Sequence, residues 1–172
     1  MNINSPDFYK DASAEDSLEV TQDFIDHVCK LDPQHNLVTP ILTPRFAVAC
    51  DANVLSGLGK IAKANPYLPI QTHFDETEQE MEITKQMHPG FDNEADLYEH
   101  YGLLTERTIL AHCIYVDEYE MGRLKTLGCG VAHCPVSVSR FSFTSPLLKR
   151  LVANPVRLRE HDHRRLQHRS YP

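Results

Sequence analysis

The sequence has no tryptophan, no CxxC pair and no apolar run near the roughly 18 residues that span a bilayer. Without CxxC spacing, thiolate zinc sites of the finger or knuckle type are disfavoured. The N-terminus is polar and acidic, unlike a secretory leader, and no membrane segment is expected. GxSxG, GxxxxGK[ST] and GxGxxG are all missing, which excludes the usual nucleophile elbow, phosphate loop and dinucleotide fingerprint. The HxE…PCxxC pattern of one class of zinc enzymes is missing as well. Basic charge is scarce: the net charge is -7, which argues against a general affinity for nucleic acid. The five cysteines, Cys29, Cys50, Cys113, Cys129 and Cys134, are odd in number and irregularly spaced, as expected of reduced thiols in a cytoplasmic protein.

What is present is ordinary for a soluble domain. The chain has 172 residues, 41% of them hydrophobic and 24% charged, enough for one domain with a sizeable core. Charge is uneven. From Leu151 onward five arginines face only Glu160 and Asp162, so this stretch is +3 and residues 1–150 carry -10. That Arg-rich segment, 151–172, has no apolar period and is expected to be disordered. Its His161, His163 and His168 offer no more than adventitious metal binding.

Periodicity predicts an amphipathic helix over about 15–31, with Thr21, Phe24, Val28 and Leu31 on one face, Ser13 and Asp16 at its start and Asp32-Pro33 at its end. Leu37 to Thr43 reads as a strand, irregular or at an edge because of Pro40. Residues 51–64 read as a helix with Leu55, Leu58, Ile61 and Ala62 on one face. Then come a short strand over Leu68–Thr72, helices over Glu76–Met87 and Ala95–Tyr101, and a strand over Thr108–Ala111. A helix over Asp117–Leu127 closed by Gly128 and a strand over Gly130–Ala132 complete the series. Strands alternating with helices predict parallel βαβ units.

Arg45, His73, His112 and His133 each directly follow one of these apolar segments. In parallel α/β architectures ligands bind at the carboxyl ends of strands, so the four groups are expected on one face. His73 suits zinc as a neutral imidazole. Glu76, three residues on, suits proton transfer from a water to a leaving group. The plainer alternative has His73 capping the sheet and Glu76 starting a helix under its dipole. His112 fits a metal ligand, a partner of the attacking water, or a hydrogen-bonded core histidine. Arg45-Phe46 sets a guanidinium beside an aromatic ring, a pair suited to a planar carbonyl-bearing ligand, or simply a surface arginine next to a buried phenylalanine.

Four ordered segments carry a resemblance. Thr39-Pro40-Ile41-Leu42-Thr43-Pro44-Arg45-Phe46 resembles the TPxxTPRF segment of the guanine deaminase branch of the amidohydrolase superfamily. Gln71-Thr72-His73-Phe74-Asp75-Glu76 resembles its QSHxSE, Leu110-Ala111-His112 its MAHG strand end, and Val131-Ala132-His133-Cys134-Pro135 its AHCPNSN. Met1-Asn2-Ile3-Asn4 fits as well, so the resemblance covers about residues 1–150. It implies an α/β fold of the TIM-type (β/α) barrel and a cytoplasmic metal-dependent hydrolase of purine catabolism. Such an enzyme converts guanine to xanthine and ammonia with one zinc ion, and a family-like homodimer is compatible with the resemblance. Carried over, His73 is a metal ligand, Glu76 and His112 are catalytic, and Arg45 and Phe46 bind the purine.

The departures are specific. The family's HxH pair has no counterpart before these motifs, since only His161 and His163 are so spaced, and the late aspartate ligand is missing. Cys113 stands in place of the family's glycine, and Val136-Ser137-Val138-Ser139 departs from NSN. A full barrel takes about 250 residues and eight strands. The reading is therefore a partial barrel, incomplete at both ends, expected to hold no stoichiometric zinc and to convert no guanine alone. Two alternatives stand beside it: another amidohydrolase of amino-heterocycles, and a non-catalytic interaction protein.

Overall fold

The computed structural model describes residues 1–132. The expectations resting on His133, on Cys134 and on the 151–172 segment lie outside the described residues.

Among the described residues five α-helices and three strands follow one another as α1 (Ala14–Leu31), α2 (Ala52–Ala64), β1 (Ile70–Phe74), α3 (Glu78–Met87), α4 (Glu94–His100), β2 (Thr108–His112), α5 (Glu118–Leu127) and β3 (Gly130–Ala132). The strands form one parallel sheet in the order β1-β2-β3, with Phe74 opposite His112 and Ala111 opposite Ala132. Phe74 thus ends level with His112, which brings the outgoing ends of both strands to one rim.

Helix starts follow their capping residues. The side chains of Ser13, Asp51, Thr77, Asn93 and Asp117 accept from backbone N–H groups of the first turns, which otherwise lack partners. Gly128, in left-handed backbone at φ 73°, closes α5. The core lies between sheet and helices: Ile70, Phe74 and Leu110 from the strands, Leu55 and Leu58 from α2, Leu97 and Tyr98 from α4, Leu124 from α5. Each is fully or almost fully buried, worth about 1.5–3 kcal/mol per large apolar side chain.

Two expectations are corrected. Leu37–Thr43 is not a strand. Only Leu42 bridges β1, pairing with Ile70. Its N–H donates to the Pro69 carbonyl (3.0 Å) and its carbonyl accepts from Gln71 N–H (2.8 Å). The next backbone hydrogen bond to β1 comes at Arg45, whose carbonyl accepts from His73 N–H (3.1 Å). Pro40 and Pro44 carry no N–H, so a regular ladder cannot form along this stretch. On α1, Phe24 and Leu31 face outward (55% and 70% exposed), while Ala14, Ser17, Ile25 and Val28 are buried. The helix turns its narrower, smaller-residue face inward because Leu18 packs onto the bare Cα of Gly57 in α2.

Candidate functional site

Arg45 sits in the irregular segment along the edge of β1, His73 is the fourth residue of β1, and His112 ends β2. Glu76 lies in the turn between β1 and α3. Parallel pairing sets the two histidine rings face to face, 5.3 Å apart with 21° between planes. Glu76 Oε1 lies 3.5 Å from His112 Nε2. One ligand atom from each of His73, Glu76 and His112 falls within 4.8 Å of the others.

Local backbone explains how a short turn achieves this. Asp75, His112 and Cys113 all take positive φ (45°, 73° and 52°) at the two strand ends. Such backbone is costly for residues with a Cβ and persists where the surroundings enforce it. Here Cys113 N–H donates to the Phe74 carbonyl (2.9 Å), and Ile114 and Tyr115 N–H both donate to the Asp75 carbonyl (3.0 and 3.1 Å). The exit turn of β2 is thereby fastened to the exit of β1, which fixes His112 beside Glu76.

His73 has a defined tautomer. Its Nδ1 lies 2.7 Å from the Arg45 carbonyl. A carbonyl only accepts, so Nδ1 carries a hydrogen, and in the neutral ring the lone pair is on Nε2. The ring also meets Phe46 edge-on at 6.4 Å. Arg45 is exposed, its guanidinium carbon 5.1 Å from the Phe46 ring centre and 5.5 Å from that of Tyr9, with a nitrogen 3.3 Å from Asn2 Oδ1. A cavity of about 220 Å³ opens among Arg45, Phe46, His73, Glu76, Thr77 and Glu80.

Beneath this rim lies a cluster of buried acids: Asp75, Glu80, Glu94 and Glu120. Burial, then the charges of Glu94 and Glu120, push the Asp75 carboxyl up to about 10, and burial with Glu80 pushes Glu94 to about 8. Glu94 accepts from Asp75 N–H (3.3 Å) and from the Thr84 hydroxyl (3.2 Å), tying α4 and α3 to the end of β1.

The donor set is chemically suited to zinc. It offers two imidazoles and a carboxylate, side chains of the kinds that zinc takes. One imidazole passes its other N–H to a backbone carbonyl, the support expected behind a metal-bound histidine. The resemblance carried over His73 as the metal ligand, the residues themselves left His112 open between metal and water, and no stoichiometric zinc was expected of the chain; the fold brings three donor atoms together, and on that geometry the expectation becomes one bound metal. Sequence reading missed Asn2, Tyr9 and the buried acids. Residues 1–12 show no period, so nothing in them announced a contact with Arg45.

A parallel α/β sheet with a His/Glu/His cluster at its outgoing strand ends has the arrangement of a (β/α) barrel, and the amidohydrolase family profile matches residues 1–158. The chain belongs to the amidohydrolase family. Its relatives include a probable guanine deaminase of Schizosaccharomyces pombe, 46% identical over 139 residues, and the guanine deaminase of Rattus norvegicus, 37% identical over 148. The matched regions take in 81% and 86% of this chain but 26% and 31% of those proteins. The crystal structure of guanine deaminase from C. acetobutylicum with bound guanine superposes with a TM-score of 0.78 at 31% identity, over 89% of this chain and 36% of that one. The chain thus spans about a third or less of the relatives it matches, and its fold is part of the TIM-type barrel of this family.

Proposed function

We propose that this chain serves the zinc-dependent hydrolytic deamination of guanine, which adds water, breaks the bond between the ring and its amino group, and yields xanthine and ammonia. The single observation behind this reading is the convergence of His73, Glu76 and His112 beside a cavity that Arg45 and Phe46 also line. Zinc, when bound, lowers the pKa of a water to about 7 and so supplies a nucleophile at neutral pH. His73, with His112 and Glu76 around it, is the residue that would hold the metal.

The remaining chemistry belongs to side chains. Glu76 lies at the mouth of the cavity, half-buried and on a turn, where a carboxylate can take a proton from the attacking water and deliver it to the departing amine. His112 Nε2, within 3.5 Å of that carboxylate, orients the same water. Arg45 donates to the carbonyl edge of the purine, and Phe46 meets its face. Guanine bound in the active site of the C. acetobutylicum structure supports the choice of purine.

The test is guanine binding to the purified chain at one equivalent of zinc, by equilibrium dialysis. Retention of guanine that falls at least about ten-fold in Arg45→Ala is expected, the loss of one charge-assisted hydrogen bond. Equal retention by wild type and Arg45→Ala would exclude the purine role of Arg45.

A further inference from the structure

Arginine side chains on a protein surface ordinarily sample many rotamers, and fixing one costs entropy that weakens any contact it makes. Arg45 is exposed, yet its guanidinium is held on three sides. Phe46 lies at 5.1 Å and Tyr9 at 5.5 Å from the guanidinium carbon, and the Asn2 side-chain oxygen accepts from it at 3.3 Å. Two of the three holders come from the N-terminal segment, which is itself anchored. Ile3 and Asn4 N–H donate to the Ala49 carbonyl (2.9 and 3.3 Å), just past Phe46, and Asn2 N–H donates to Asp11 Oδ2 (2.8 Å). The Ser17 hydroxyl of α1 donates to the same oxygen of Asp11 at 2.7 Å. Asn2 is thus fixed between α1 and the turn that follows the arginine.

We infer that Asn2 and Tyr9 are positioning residues that pre-set the Arg45 guanidinium for a 6-oxo purine, and so tune the choice between purines with and without that oxygen. The inference rests on the reading of Arg45 given under Proposed function. Tyr9 acts through its ring face, because a cation over an aromatic ring is attracted by the ring's negative face. Asn2 acts through its carbonyl oxygen, the only part of the amide that can accept from an arginine. Neither touches the His73, Glu76 and His112 cluster, so neither enters the proton transfers.

The test compares guanine with 2-aminopurine, which is guanine without the 6-oxygen, for binding to the full chain with zinc. Tyr9→Leu and Asn2→Ala are each expected to weaken guanine about three- to five-fold, the range of a solvent-exposed cation–π contact or a modest hydrogen bond, with 2-aminopurine unchanged. Tyr9→Phe, which keeps the ring, is expected to bind guanine as wild type does. Unchanged guanine affinity in Tyr9→Leu and Asn2→Ala would overturn the inference. So would equal weakening of both purines, since that reports a general loss of structure. If wild type itself binds guanine no better than 2-aminopurine, the role of Arg45 fails and this inference falls with it.

Discussion

Single residues carry the site through their second contacts. The Arg45 carbonyl accepts from both the backbone N–H and the ring Nδ1–H of His73, so one peptide group sets strand pairing and imidazole tautomer together. Glu94 is one of the buried acids through which pH acts on stability. Buried, it ionises at about 8 against 4.5 in an open chain. Between those values the unfolded chain has released a proton that the folded chain retains, so stability falls as pH rises through that window. The melting temperature is therefore expected to drop from about pH 5 to about pH 8, with a shallower drop in Glu94→Gln, whose amide keeps an acceptor for Asp75 N–H and Thr84. Thermal melts across that range check it, and an unchanged slope in the variant would assign the dependence to other groups.

Elements hold their places through a few local devices. On α5, Asp117 accepts from Glu120 N–H at 2.8 Å while Glu120 reaches back to Asp117 N–H at 3.4 Å. Asp117→Ala removes the cap and is expected to cost about 1 kcal/mol in urea unfolding. Gly59 in α2 has no Cβ because one would run into the Tyr101 carbonyl oxygen. Gly59→Ala gains about 1 kcal/mol of helix propensity yet is expected to lower stability on balance, since a backbone carbonyl cannot step aside. Most of these elements were legible in the sequence. The helices over about 15–31, 51–64, 76–87, 95–101 and 117–127 were legible, the first two by apolar period, the first also by its Ser13 start and the last by its Gly128 end, because these signals are local. The edge along β1 was not legible as it stands: Leu37–Thr43 has β-forming composition, but prolines at 40 and 44 leave only Leu42 to pair. The inward face of α1 was misread because Gly57, distant in sequence, decides which side of the helix can approach.

At the scale of the molecule, parallel register does most to build the site. It levels His73 with Ala111 and Phe74 with His112, which brings the two strand-end histidines within one residue of each other, and their rings stack. The histidines and Glu76 were legible as residues beside strand ends. Their convergence needed the left-handed turns at Asp75, His112 and Cys113, which carry no glycine to announce them. The Asn2 and Tyr9 contacts with Arg45 were invisible, since they join the first residues of the chain to an edge segment more than thirty positions away. Cobalt(II) titration followed by visible absorption tests most directly whether His73, Glu76 and His112 form one metal site. One equivalent bound by the wild-type chain is predicted, with the absorption lost in both His73→Ala and His112→Ala. A band of unchanged strength in either variant, carried by histidines elsewhere, would contradict it.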